Sequence, residues 1–443
     1  MEKLIIPLLI FIIAGLPACG GNDTEQEPGL SVLLIIIDTL RADHVGYWGY
    51  ERDNTPVLDS LAASGTAWTR TQAQSSWTLP SVASILTGLA PREHGAGTSD
   101  GRMFGLAPSI PTLQGILHSR GMSTCAILNV IFLSEDFGFH RGFDHFDCRG
   151  VTGSRGTRRA NETADAAISW LEGLNGSFLA VVHFYDPHIP YDPPPPYDDL
   201  YADSYTGPLR TGEFQMDTMT SVNSGSAVLS PEGLSAMVDL YDGEIAFTDA
   251  ELGRLLEYLR ASGLSGSTLV IVTADHGEEF LEHSGIEHGR TLYQECLHVP
   301  LVMSGPGIPR GVRREEPSAL LDLLPTILAY LDVDAPPGLP GTDLLSSVSG
   351  TRDIPASNLL WSTVPQASMR RDSLKVIWYP GNGNTELYDL SSDPFEQDPL
   401  NVSDRSLVQS VEFYWATPPA ADPPGVSFGE AQNNQLRDLG YIR

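Results

Sequence analysis

From residue 31 to about 345 the chain alternates short, unbroken apolar runs with stretches of helical periodicity. Runs apolar on every position suit strands covered on both faces, and the intervening 3.6-residue period suits the helices that cover them. Four runs stand out because polar residues follow or precede them. Residues 32–37 end at Asp38; 178–182 end at His183, with Asp186 and His188 beyond; 269–272 lead to Asp275 and His276; 299–303 follow a loop holding His283 and His288. Ligands in such sheets sit past the carboxyl ends of the strands, so these distant residues are expected to converge at one end of one sheet. No internal repeat interrupts the pattern.

Helix signals fall between the runs. Thr55-Pro56 opens a helix through Leu58 and Leu61 that stops at Gly65, with proline in the first turn and glycine past the last. A longer helix is predicted over 235–260, where Met237, Leu240, Tyr241, Ile245, Leu252, Leu255, Leu256 and Leu259 share a face and Gly263 follows. Four successive prolines from Pro193 to Pro196 make a stiff, extended segment suited to a cleft rim. The pattern weakens at Pro336, Pro337 and Pro340. Beyond 350, the pieces 374–379 and 386–390 flank a Gly/Asn turn and read as a hairpin. The expected fold class is α/β: a large, mostly parallel sheet sandwiched by helices over 31–345, with a small C-terminal antiparallel subdomain over 346–443.

Composition narrows the partners. The 443 residues carry 56 acidic and 26 basic side chains, a net charge of −30, and the basic runs are short: Arg155, Arg158 and Arg159, then Arg313 and Arg314. Such a charge repels nucleic-acid phosphates, so nucleic acid is excluded as a partner. Residues 1–18 form a separate unit, a Lys3 followed by an apolar core too short to span a bilayer, as in a signal peptide. The segment Leu16-Pro17-Ala18-Cys19-Gly20 resembles the lipobox of bacterial lipoproteins. It implies export, a lipid on Cys19, a tether over 19–30 and attachment to the periplasmic or outer face of the cell envelope; an ordinary secretory cleavage is the alternative. With Cys19 acylated, Cys125, Cys148 and Cys296 remain, an odd set read as small buried residues rather than a disulfide framework.

The chemistry gathers around Ser76-Trp77-Thr78-Leu79-Pro80-Ser81. Pro80 suits a first helical turn, which puts Thr78 at a helix N-terminus, where free N–H groups favour an anion. Thr78 alone reads as a helix cap. Asp38, Asp275 and His276 change that reading, because two carboxylates and an imidazole suit a divalent cation and Thr78 adds a hydroxyl the cation would activate.

Several motifs in this order carry a family resemblance: Ile36-Ile37-Asp38-Thr39-Leu40-Arg41-Ala42-Asp43; Thr55-Pro56-Val57-Leu58-Asp59; Thr78-Leu79-Pro80-Ser81 with Thr87-Gly88; Asp186-Pro187-His188 with Tyr191; Ala274-Asp275-His276-Gly277-Glu278; and His288-Gly289-Arg290-Thr291-Leu292-Tyr293. Together with Glu386-Leu387-Tyr388-Asp389-Leu390, they make residues 31–400 resemble the sulfatases of the alkaline phosphatase superfamily. The resemblance implies that Asp38, Asp275 and His276 bind the metal and that Thr78 stands at the nucleophile position. His188 and His288 then fall beside the ester oxygens, as proton donors or anion holders. His183 and His283 are read as structural. One divalent ion (Ca, Mg, Mn or Zn) is expected, with a second through Asp186, His188 and His288 as the variant.

The chain departs from the family at four positions. Working sulfatases place Cys or Ser where Thr78 stands, oxidise it to formylglycine, and carry an Arg four residues on, here Val82. The methyl on the threonine β-carbon would turn that oxidation into a ketone. The family's paired aspartates are Asp38-Thr39 here, and Asn129 falls near the place of a family lysine. Three outcomes follow for an anionic ester substrate: an unmodified Thr78 attacking a phosphodiester or phosphonate, which is preferred; the same residue acting on a sulfate ester; or a metal-binding lipoprotein without turnover.

Overall fold

The computed structural model describes residues 29–99, 101–149, 157–201, 205–210, 212–346, 350–358, 364–401, 405–430, 433 and 436. Cys19 and the leader lie outside the described residues.

Eight strands form the spine of the large sheet: β1 (Ser31–Ile37), β2 (Thr66–Gln72), β3 (Ser123–Leu128), β4 (His145–Cys148), β5 (Phe178–Phe184), β6 (Thr268–Ala274), β7 (His298–Ser304) and β8 (Val312–Arg314). Their order is β8-β2-β7-β6-β1-β5-β3-β4, with Ser318–Ala319 pairing on β2. β1 lies at the centre, parallel to β5 and β6, and every one of its seven residues is buried. This is the all-apolar run expected of a strand with helices on both faces. One of the four diagnostic runs differs in direction: β7 is antiparallel to both β6 and β2. Its reversal leaves β2 parallel to β1, so β2 also ends on the side where Asp38 and Asp275 emerge.

The first helix, α1 (Pro56–Ser64), ends at Gly65 as expected. Helix α2 (Thr78–Thr87) is buried on all sides and closes at Gly88, whose φ of 68° suits glycine. Further along the chain come α3 (Ala160–Glu172) and the longer α4 (Pro231–Ala261). The latter begins one turn before the apolar stripe, because the Ser230 hydroxyl accepts the Gly233 N–H at 3.1 Å and Pro231 fills its first position.

At the C-terminal side, β9 (Asp353–Ser357), β10 (Ala367–Arg371), β11 (Leu374–Trp378) and β12 (Thr385–Asp389) make an antiparallel sheet in sequence order. The predicted hairpin is its β11–β12 half. Helix α5 (Ser406–Ala416) lays Leu407, Val408 and Val411 on this sheet over a separate small core with Ile354, Met369 and Val376. The chain then returns to the large domain, where Gly425–Val426 pairs with Arg102–Phe104. Cys125, Cys148 and Cys296 are free thiols, and among the described residues no helix is long and apolar enough to cross a membrane.

Candidate active site

Strand register assembles the site. Ile36 pairs with His183 and Ile37 with Ala274, so Asp38 leaves β1 between His183 on β5 and Asp275 just past β6. Thr39 turns the chain with φ at 57°, a left-handed conformation unusual for a β-branched residue. Two bonds hold that turn: the Thr39 N–H donates to Asp275 Oδ1 at 3.3 Å, and the Thr39 carbonyl accepts the Tyr241 hydroxyl of α4 at 2.7 Å. Strain of this kind collects where the surroundings fix a functional geometry.

The carboxylates are fully buried and largely unsatisfied. Among the described residues, both oxygens of Asp38 and Oδ2 of Asp275 lack a hydrogen-bond partner, and so do both ring nitrogens of His183. Ligand atoms of Asp38, His183 and Asp275 lie within 4.8 Å of one another, a group able to hold a metal ion. His276 Nε2 stands 3.5 Å from Asp38 Oδ1 and 3.4 Å from Asp275 Oδ2, while His183 Nε2 stands 3.5 Å from Asp38 Oδ2. His276 Nδ1 lies 2.9 Å from the Gly277 carbonyl, which can only accept; the ring proton therefore sits on Nδ1 and the Nε2 lone pair faces the carboxylates. Burial pushes the Asp38 carboxyl well up, helped by Asp275 and Glu278, and pushes Asp275 up to about 7. Burial pulls His183 down to about 3 and lowers His276 as well. The two buried acids and the unpartnered His183 ring could together hold a divalent cation with mixed oxygen and nitrogen ligands, with the His276 Nε2 lone pair beside them.

His183 corrects the reading of that residue as structural. A structural histidine has its nitrogens satisfied, and this one has neither. His283 does fit the structural reading, with Nδ1 2.6 Å from Glu295, Nε2 3.0 Å from the Glu396 carbonyl, and its ring stacked on Tyr293.

Thr78 opens α2 after Trp77, whose extended backbone and Nε1–H···O=C bond to Asn358 at 2.5 Å fix the approach. Its Oγ1 lies 3.4 Å from His276 Nε2. Ser81, one turn on, donates to the Asp275 carbonyl at 2.5 Å and ties the helix to the metal-type cluster. The Thr78 hydroxyl therefore faces the cluster rather than the packed interior of the helix layer.

From His276 the imidazoles continue ring against ring to His288 and His188. The His288 ring centroid is 4.4 Å from that of His276 and 4.8 Å from that of His188. Burial pulls His288 down, but the charge of Glu278 and its 3.1 Å bond to Nδ1 outweigh it, and the net shift is upward. His188 goes the other way: burial and His288 lower it, and its Nδ1 gives a 2.6 Å bond to the Ile189 carbonyl. The two touching imidazoles are thus pushed in opposite directions, His288 up and His188 down, and the buried His288 Nε2 has no hydrogen-bond partner among the described residues. Asp186 serves elsewhere, its Oδ2 accepting the Ala160 N–H at 2.6 Å at the start of α3. Asn129 is buried between α3 and β5, bonded to Thr163 at 2.8 Å, to the His183 carbonyl, and to Arg158 at 2.9 Å.

Two supporting residues stood in the quoted motifs without a role. Glu278 receives both His288 and, at 3.1 Å, the Tyr191 hydroxyl. Arg41 sends Nη1 to the Glu278 carbonyl at 2.9 Å. The close approach of that segment leaves room only for glycine at 277, where a Cβ would collide with the Glu295 carbonyl.

A helix-covered sheet with acids, imidazoles and a hydroxyl at its carboxyl end defines an ester hydrolase of the alkaline phosphatase superfamily. The family model named Sulfatase matches residues 31–333, and the chain belongs to that family, hydrolases acting on sulfate or phosphate esters. It is 26% identical over 422 residues to the uncharacterized sulfatase YidJ of Escherichia coli (strain K12), covering 83% of this chain and 82% of that protein. Among solved structures, one in complex with its substrate D-glucosamine-2-N,6-O-disulfate aligns with a TM-score of 0.69 at 19% identity, over 93% of this chain and 99% of the other. The phosphonate monoester hydrolase of Agrobacterium radiobacter aligns with a TM-score of 0.69 at 21% identity, over 87% and 94%.

Proposed function

We propose that the protein is a metal-dependent hydrolase in which the unmodified Thr78 hydroxyl attacks the phosphorus of a phosphodiester or phosphonate monoester. The observation that carries this reading is the set of buried, unsatisfied ligand atoms on Asp38, Asp275 and His183, with Thr78 Oγ1 3.4 Å from His276 at its edge. A divalent cation held there, Mn or Zn suiting the mixed donors, supplies positive charge that makes a nearby alcohol more acidic and offsets the charge of the ester.

Thr78 gives its proton to solvent as the Oγ1–P bond forms, and the P–O bond to the leaving alcohol breaks as His288 Nε2 gives that alcohol its proton. Water then attacks phosphorus and gives a proton to His288 while its oxygen stays on phosphorus; the Oγ1–P bond breaks, and Thr78 takes a proton back from solvent with its hydroxyl restored. His276 and the α2 N-terminus face the anion throughout. The phosphonate hydrolase of like fold supports this choice of ester. The sulfatase relative and the disulfated-glucosamine complex support a second reading, a sulfate ester as substrate. Against it stands chemistry: a covalent sulfate on an ordinary alkoxide has no hemiacetal route of release. We also assign the chain to the cell envelope, through a lipid on Cys19.

The test is a panel of chromogenic phosphodiesters, phosphonates and sulfates, run on the parent and Thr78→Ala with and without chelator. The expected result is phosphorus-ester turnover that falls by about three orders of magnitude in Thr78→Ala and vanishes with chelator, returning with Mn or Zn. Undiminished turnover in Thr78→Ala, or the same rate in chelator, sinks the proposal; sulfate turnover alone selects the second reading.

A further inference from the structure

A second cavity lies away from the Thr78 cluster. Between the β2 side of the large sheet and the C-terminal sheet is a cavity of about 270 Å³, close to the lower end of ordinary ligand pockets, roughly 300–1,000 Å³. In a chain of net charge −30, three arginines (Arg70, Arg313 and Arg370) and a single glutamate, Glu315, line it.

The wall holds more donors than acceptors. Arg370, on β10, is 4% exposed, yet its guanidinium meets only backbone carbonyls, Asp372 at 3.0 Å and Arg70 at 3.2 Å. Among the described residues no carboxylate pairs with it. Burial, and then the charge of Arg70, push it down to about 10. The exposed Arg70 guanidinium likewise has no partner among the described residues. Two of the lining residues, Trp48 and Gln294, carry buried neutral donors, Nε1 and Nε2, that have no acceptor among the described residues; the Gln294 oxygen is already taken by Gln72 at 3.1 Å. Arg313 is held loosely, by the Tyr47 carbonyl at 3.2 Å and by Glu315 at 3.8 Å.

A buried cation with no ion-pair partner among the described residues, offset in part by the charges of Glu396 and Asp372, and N–H groups without acceptors there are costly, and a partner that removes the cost is negative and rich in acceptor oxygens. We propose that this cavity binds a tetrahedral oxyanion, a sulfate or phosphate group, between Arg70 and Arg370, with Trp48 Nε1–H and Gln294 Nε2–H as neutral donors. Guanidinium forks match such oxygens in pairs, and the cavity walls supply the flanking N–H groups. The site shares no lining residue with the Thr78 cluster and does not rest on the reaction proposed for it.

Calorimetric titration of the full chain with inorganic sulfate, inorganic phosphate and acetate tests the proposal. Arg70→Glu reverses an exposed charge, and Trp48→Phe removes one N–H while keeping an aromatic ring. The expected result is binding of sulfate or phosphate that weakens at least tenfold in Arg70→Glu and severalfold in Trp48→Phe, with ester turnover unchanged in both. The tighter of the two ions identifies the source. Binding equal in parent and both variants, acetate binding as tightly as the oxyanions, or no oxyanion binding by the parent overturns it.

Discussion

Arg41 braces Glu278, which holds the imidazole proposed as proton donor, and its removal is the sharpest test of how the site is held. Its side chain is 4% exposed. Nε and Nη2 grip Asp43 at 2.9 and 2.7 Å, while Nη1 reaches Glu282 at 2.6 Å and the Glu278 carbonyl at 2.9 Å. Bonds to charged groups contribute about 1.5–3 kcal/mol each, but the carboxylates of Asp43 and Glu282 are 40% and 26% exposed, so water replaces part of what Arg41 gives them. The Glu278 carbonyl bond and the buried volume have no such substitute. Arg41→Met is therefore expected to cost about 2–4 kcal/mol, measured as a lower midpoint of urea unfolding. Burial alone would raise the Asp43 carboxyl, and the paired guanidinium outweighs it, holding that group below the usual carboxylate range. A carboxyl lowered in the folded state stabilises above its unfolded pKa and loses that contribution as pH falls. Arg41→Met should thus flatten the acid side of the stability curve. Glu278, freed on its backbone side, should hold His288 less firmly, and turnover should fall by at least tenfold. Arg41→Lys keeps the charge without the fork and should recover only part of both losses. A cost under about 1 kcal/mol with turnover intact would refute this account of Arg41.

Other perturbations probe different layers. Lys375 and Glu396 form a fully buried pair at 2.8 Å, so Lys375→Met, which strands the carboxylate, should cost about 3–5 kcal/mol, and Lys375→Met/Glu396→Leu should regain part of it; a double variant no more stable than the single one contradicts this. Burial pulls His283 down, but its bond to Glu295 outweighs that and holds it up at about 9 against an ordinary 6.5. The folded state then keeps a proton that the unfolded chain releases, so the contribution is complete below pH 6.5 and is lost as pH rises through about 9. Allowing for water at the partly exposed ring, the loss is about 2 kcal/mol, and His283→Ala should abolish that slope; an unchanged slope in the variant rejects the assignment. Labelling with a radioactive fatty acid in a bacterial host should mark the parent but not Cys19→Ser, and equal labelling removes the lipid anchor.

The legible part of this molecule is the part that periodicity controls. Seven buried residues in β1 and their neighbours in β5 and β6 announce a sheet interior, and the residue after each run is bound to surface at one end of it. That argument locates Asp38, Asp275 and His276 without coordinates, and a proline in the first turn locates Thr78. It does not reveal direction: β7 is as apolar as its neighbours and runs the other way, because hydrophobicity carries no sign along a strand. Nor does it tell a satisfied side chain from an orphaned one. His183 and His283 are both histidines beside apolar runs, yet His283 has a carboxylate and a carbonyl as hydrogen-bond partners and His183 has no hydrogen-bond partner among the described residues, a difference set by segments as distant as Glu295 and Glu396. The same limit hid Glu278 and Arg41, whose roles depend on what approaches them across more than two hundred residues of chain. Sequence pattern thus finds where chemistry can gather, while the unmet hydrogen-bonding capacity of buried groups shows which members of that gathering are kept for a ligand.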